Sequence, residues 1–301
     1  MLLRTSKNIK KCCFSELTTN SKIMIPLFKI LNENTTITTI DLSYIKLTFE
    51  ENKRTSRLKV LAETLRKYTT LSYLDLSNND IDYEGAKTIA EILDKNTTIT
   101  SSLVLGYNKL GFEGAKVLTK VLCENKYLTF LNLDNNQLGF KGSEILAKVL
   151  CRNTTLTTLN INDNNLGFEG IKVIIEALCR NQVLTSLGIG INNIGTEGVK
   201  VVAEFLCGNT TLKSLNLNAL CKNTFLVLAE ALCKNISLKW LDLCFNELDY
   251  DSVEILIEAL RENTTLTHLE IYGNQLSFEE TQILTKCLHK SKITSYFFSC
   301  S

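Results

Sequence analysis

The sequence predicts an α/β fold: a right-handed solenoid of about nine coils, with short parallel strands on a concave inner face and helices on a convex outer face. Three observations predict it. First, an apolar frame, L-x-x-L-x-L-x-x-N-x-L, recurs along the chain. Its first position falls at Ile37, Leu71, Thr100, Leu128, Leu156, Leu184, Leu212, Leu238 and Leu266, in steps of 34, 29, 28, 28, 28, 28, 26 and 28 residues. A period sustained near 28 marks a repeat array and overrides the two globular domains that 301 residues would otherwise suggest. Second, each copy holds a period-two stretch followed by a stretch with apolar spacing of three and four, which reads as strand then helix. Third, adjacent strands stack ~4.8 Å apart whereas packed helices need ~8–10 Å, so an array of such coils curves with its strands inside. That shape is a horseshoe.

Taken in order, residues 1–36 read as an N-terminal cap, residues 37–292 as the solenoid, and residues 293–301 as a closing strand and tail. Pro26, the only proline, suits the first turn of a short helix ending near Asn34, because that position needs no N–H donor. Lys10, Lys11, Cys12 and Cys13 read as a solvated basic turn beside two ordinary thiols. The first coil (Ile37, Ile40, Leu42) has Ile45 at the frame asparagine, and its return arm is six residues longer and rich in Lys and Arg. That arm (Lys53, Arg54, Arg57, Lys59, Arg66, Lys67) reads as a solvated helix face.

The stretch Asn153 to Arg180 is the most regular copy. Leu159 and Ile161 point inward while Thr158, Asn160 and Asn162 face out. The glycine pairs Gly111/Gly114, Gly139/Gly142, Gly167/Gly170 and Gly195/Gly198 allow a tight turn into each helix. The frame asparagines Asn79, Asn108, Asn136, Asn164, Asn192, Asn246 and Asn274 are expected to satisfy backbone groups where the chain leaves the strand. Asn153, Asn181, Asn209 and Asn263, which close the coils, suit a left-handed helix cap. The seventh coil lacks its asparagine and glycine turn, so a distortion is expected near Asn218 to Asn223 with a shortened helix. Ile293, Tyr296 and Phe298 suggest the closing strand.

Composition excludes several functional classes. Net charge is +1, which argues against a nucleic-acid or membrane-surface binder. No apolar run reaches the ~18 residues of a membrane span, and the start is too short in apolar residues for a signal peptide, so a cytoplasmic location is expected. Among eleven cysteines, Cys123, Cys151, Cys179, Cys207 and Cys233 form one column. Helices ~8–10 Å apart lie beyond the ~7 Å Cα reach of a disulfide, so the column reads as reduced, buried apolar filler. There are two histidines, His268 and His289, with no zinc spacing, no phosphate-binding loop and no nucleophile elbow. No catalytic residue, cofactor, metal or small-molecule substrate is expected. Six N-x-S/T sequons fall at the coil closures and are part of the repeat pattern.

What remains is surface. Tyr73, Tyr107 and Phe130 face outward in the early coils, and Trp240, Phe245, His268 and Tyr272 in the late ones. Small or polar residues separate them, and Asp75, Asp134, Asp163, Asp242 and Glu270 lie among them, placed to meet a basic partner. Aromatic anchors of this kind dominate protein interfaces.

The frame written TFLNLDNNQLGFKGSEILAKVLCRNTT over Thr129 to Thr155 resembles the ribonuclease-inhibitor type of leucine-rich repeat. The same repeat is found in the receptor arms of NOD-like proteins and in Ran GTPase-activating proteins, and the resemblance covers roughly residues 37–290. It implies a non-enzymatic scaffold that binds a protein through the concave face. Two other readings stay open: a GTPase activator for a Ran-like small GTPase, acting in trans without a triad of its own, and a structural or oligomerising solenoid.

Overall fold

A computed structural model of the chain describes residues 10–14, 31, 33, 36–47, 57–66, 68, 71–95, 101–220, 224–274, 276–289, 293 and 295–297. The expectations about Pro26, Lys53, Arg54, Lys67, Thr100, Asn223 and Phe298 lie outside them. The chain divides into two compact units, Met1–Leu138 with Arg152–Leu156, and Gly139–Cys151 with Thr157–Ser301.

In the first unit the strands β1 (Lys11–Cys13), β2 (Thr39–Asp41), β3 (Tyr73–Asp75), β4 (Ser102–Val104) and β5 (Phe130–Asn132) pair in parallel, in chain order and in register. Helices α1 (Arg57–Leu65), α2 (Tyr83–Lys95) and α3 (Gly111–Glu124) return the chain between them. The second unit begins with α4 (Gly139–Arg152), whose last residue falls with the first. It continues through β6 (Thr158–Asn160), α5 (Gly167–Leu178), β7 (Ser186–Gly188), α6 (Gly195–Gly208) and β8 (Ser214–Asn216). Then come α7 (Phe225–Lys234), β9 (Trp240–Asp242), α8 (Tyr250–Glu262), β10 (His268–Glu270), α9 (Phe278–Leu288) and β11 (Ser295–Phe297). Its strands too are parallel and sequential. The fold is the α/β solenoid of strand–helix coils that the period predicts.

Each coil builds itself from its own frame. Leu159 and Ile161 are buried, as are Ile171, Ile174, Ile175 and Leu178 of α5, while Thr158 and Asn160 stay half-exposed. Strands are only three residues long because the chain must bend at once. Asp163 (φ 54) and Asn165 (φ 53) take left-handed backbone on either side of Asn164. A glycine at φ 66, Gly167, then opens the helix, a conformation that glycine adopts without steric cost.

The frame asparagines are buried and bonded across coils. Asn192 Oδ1 accepts from the N–H of Asn164 (2.9 Å) and of Leu166 (3.4 Å), and its Nδ2 donates to the carbonyls of Ile161 and Ile189, both at 2.9 Å. Asn108 and Asn274 repeat the pattern. This structural role is the expected one.

Three expectations need correction. Lys11–Cys13 is not a turn but a strand, paired to Thr39–Asp41, with Cys12 buried between two exposed neighbours. The closing asparagines are not left-handed: Asn209 (φ −82°, ψ 132°) and Asn263 (φ −70°, ψ 125°) are extended. Their amides work instead. Asn263 Oδ1 accepts from the N–H of Thr265 (2.9 Å) and Leu266 (2.7 Å), and Nδ2 reaches the Leu232 carbonyl of the preceding coil at 2.6 Å. Asn153 and Asn181 do the same with Leu122 and Leu150. Finally, the cysteine column is not buried filler. Cys123 is buried, but Cys151, Cys179, Cys207 and Cys233 are exposed. The inward residue is the leucine one position earlier (Leu150, Leu178, Leu206, Leu232), and one residue rotates a helix face by ~100°.

The seventh coil departs as expected. Helix α7 has 10 residues where α6 has 14, and Leu220 stands at the frame position. Coils eight and nine replace the glycine turn with side-chain caps. Asp249 accepts from Ser252 N–H (3.0 Å), and Ser277 forms a capping box with Glu280.

Candidate functional site

On the strand face of the first unit, register places Ser102 between Tyr73 and Phe130 on neighbouring strands, so the two half-buried rings flank a small residue. Tyr73 donates its hydroxyl to Asp75 Oδ2 (3.1 Å), and Asp75 Oδ1 also holds Ser77 through N–H (2.9 Å) and Oγ (2.6 Å). Burial, then the Asp75 carboxylate, pushes the Tyr73 phenol up to about 12. Asp134 is held by Asn132: its Oδ2 accepts from Nδ2 (2.8 Å) and its N–H donates to Oδ1 (2.9 Å). Tyr107 stands 56% exposed one residue before the frame asparagine.

The second unit carries the other aromatic group. Trp240 pairs in register with His268, and Asp242 with Glu270. The indole Nε1 of half-buried Trp240 donates to Glu270 Oε1 at 3.3 Å. Phe245 and Tyr272 meet edge to face, with ring centroids 5.5 Å apart at 80°, a favoured aromatic geometry. His268 is exposed. Asp242 is the exception among the residues expected to face a partner: it is only 6% exposed. Its carboxylate is covered on the strand face, held by Asn216 Nδ2 of the neighbouring strand (2.6 Å) and by the Cys244 N–H (2.8 Å).

Within the second unit, the small residues of the sixth coil have a packing cause. A Cβ on Gly188 would approach Asn162 Nδ2 to 2.8 Å and Asn160 Oδ1 to 3.0 Å, and one on Gly190 would strike Asn218 Oδ1. Asparagines from both neighbouring coils thus lean over the glycines. Asn218 Oδ1 is buried there without a hydrogen-bond partner. We expect Gly190→Ala to cost about 1–3 kcal/mol as an overpacked site. Adding Asn218→Ala should recover most of it in urea unfolding; a purely additive double mutant would disprove the contact.

One column was only half legible from the sequence. The residue before each frame asparagine holds left-handed backbone, and there Tyr44 (φ 60), Tyr107 (φ 56), Ile191 (φ 54) and Phe245 (φ 55) are bulky and exposed. Tyr107 and Phe245 were anticipated as surface aromatics; Tyr44 and Ile191 were not. The signal for them lay in reading that column down the repeats.

The glutamates and lysines of the helices pair locally, as Glu84–Lys87 and Glu197–Lys200 at 2.7 Å, both exposed. These are solvated surface pairs of little energetic weight. No helix among the described residues is long and apolar enough to cross a membrane.

Comparison with known proteins accords with this geometry. The family model described as "Leucine Rich repeat" matches residues 68–90, 152–174 and 180–203. The three matched stretches are leucine-rich repeats. The leucine-rich repeat-containing protein LegL7 from Legionella pneumophila is similar in structure, with a TM-score of 0.64 and 20% identity over 96% of this chain and 89% of LegL7. An internalin (InlF) from Listeria monocytogenes aligns with a TM-score of 0.48 and 20% identity, over 90% of this chain and 64% of the internalin. No curated protein matches this chain in sequence.

Proposed function

We propose that this leucine-rich repeat protein is a non-enzymatic recognition module that binds a protein partner through the strand faces of its coils. The observation that carries this reading is the left-handed column. A non-glycine residue in that conformation costs ~1–2 kcal/mol, and a β-branched one is a marked outlier. Asparagine, which tolerates it, stands there at Asn78 and Asn135. Tyr44, Tyr107, Ile191 and Phe245 accept the cost and still leave 44–56% of their surface in water. Strain held at bulky side chains that stay half in water points to use by something outside the chain. Tyr73, Phe130, Trp240, His268 and Tyr272 extend the same faces, and Asp75, Asp134 and Glu270 supply acceptors. Repeat folds of this family serve as protein-interaction scaffolds, which supports a protein partner and a fold adapted to binding. We read the repeat as the ribonuclease-inhibitor type and place the protein in the cytoplasm.

Tyr107→Asn and Phe245→Asn give the test, because asparagine fits the column. The double variant should unfold at the same or higher temperature than wild type yet lose the proteins that wild type captures from cytosol. Capture of the same set by both proteins would move the contacts to the helices and favour the structural or oligomerising reading.

A further inference from the structure

Two carboxylates lie side by side on the strand face of the second unit. Oxygens of Asp242 and Glu270, together with Cys244 Sγ, all fall within 4.8 Å of one another. The bonds made to the two acids come from neutral donors: Asn216 Nδ2, the Cys244 N–H and thiol, and Trp240 Nε1. Among the described residues neither acid makes an ion pair. A carboxylate pair that meets only neutral donors leaves its charge to be matched by a cation.

Aromatic side chains accompany that charge. Trp240 is bonded to Glu270, and Tyr272 and Phe245, two residues past Glu270 and three past Asp242 in the chain, are 49% and 55% exposed. The ring pair is seated by Gly273, whose φ is +73 and whose missing Cβ would come within 2.5 Å of the Phe245 ring. Aromatic faces beside carboxylates suit a planar cation that stacks and donates paired hydrogen bonds, which describes guanidinium better than ammonium.

We infer that the patch formed by Trp240, Phe245, Glu270 and Tyr272 receives a basic segment of the partner protein, with an arginine side chain on Glu270 and the charge of Asp242 beneath it. The inference rests on the recognition reading above and gives its second-unit surface a partner chemistry. A metal ion is the poorer occupant. Burial first, and a hydrogen bond to Asp242 second, push the Cys244 thiol up to about 12, so a metal would have to displace a firmly held proton before the thiolate could ligate it.

Trp240 is the only tryptophan in the chain, so its fluorescence reports on this patch without a label. The probe is a nine-residue peptide with a central arginine between lysines. The controls are the same peptide with citrulline at the centre, and zinc chloride alone. The full chain should show a saturable change with the arginine peptide, at least about tenfold weaker with the citrulline peptide and in Glu270→Gln, since each removes a charge-assisted hydrogen bond. Tyr272→Ser should weaken binding too, with unchanged thermal unfolding of both variants marking an intact fold. Equal affinity for the citrulline peptide, no response at millimolar arginine peptide, or a saturable zinc response that blocks the peptide would each overturn the inference. A captured partner lost on Tyr107→Asn/Phe245→Asn substitution, with no arginine-peptide binding, would sink this inference and leave the recognition reading standing.

Discussion

Asn192→Ala is expected to cost at least about 3 kcal/mol of folding stability, because it strands several buried backbone groups at once and each lost partner costs ~1–3 kcal/mol. The amide is 2% exposed and bonds on both sides of a coil boundary. It accepts from Asn164 and Leu166 in the preceding coil and donates to the Ile161 carbonyl there and to Ile189 in its own coil. Water cannot replace these bonds, and alanine offers neither donor nor acceptor. Asn192→Asp should fare little better, since it retains the acceptor but places a charge against two carbonyls. The measurement is urea unfolding followed by circular dichroism. A loss under 1 kcal/mol would show that the amide only fills space.

Asn263→Gly is expected to cost about 3 kcal/mol, by the same reasoning of stranded groups, and it discriminates between two accounts of the coil closures. Were this position a left-handed cap, glycine would be its natural occupant and the substitution neutral or stabilising. The extended backbone at φ −70° gives glycine no such advantage. The side chain accepts from Thr265 and Leu266 and donates to Leu232 and to Asn235 (3.3 Å), all lost in glycine. A thermal midpoint equal to or above that of wild type would restore the left-handed cap.

These two columns show what the sequence makes legible. A recurring asparagine marks an obligation, and the frame asparagines were assignable because they end an L-x-L strand. The closing asparagines were not, because left-handed backbone and side-chain capping recruit the same residue type. The strand and helix of every regular coil followed from period, as at Leu159, Ile161 and Ile174. Lys11–Cys13 was missed because one buried side chain, Cys12, leaves no alternation to read. The exposed cysteines were misjudged by one helical position, an error of ~100° that repetition copied down the column. At the candidate surface, Trp240, Phe245 and Tyr272 were visible as outward aromatics. The burial of Asp242 was not, since it depends on Asn216 from another coil.

Leu220 has a consequence for how the second unit comes apart. An array of coils is stable through its nearest-neighbour couplings, and its cooperativity is limited by the weakest of them. Asn246 reaches back to Leu220 N–H and donates to the Leu217 carbonyl at 3.1 Å, so coils seven and eight are coupled through an amide. Leucine at 220 has no amide to offer coil six, where backbone bonds such as Ile189 N–H to Asn216 O (3.2 Å) and Ile191 N–H to Asn218 O (3.0 Å) cross the boundary. Thermal melting should therefore start a break there. The amides of coils seven to nine would exchange hydrogen as one block, at a lower opening free energy than those of β6 and β7. The segment holding Trp240 and Tyr272 would then be a separately meltable end, which a bound partner would hold closed.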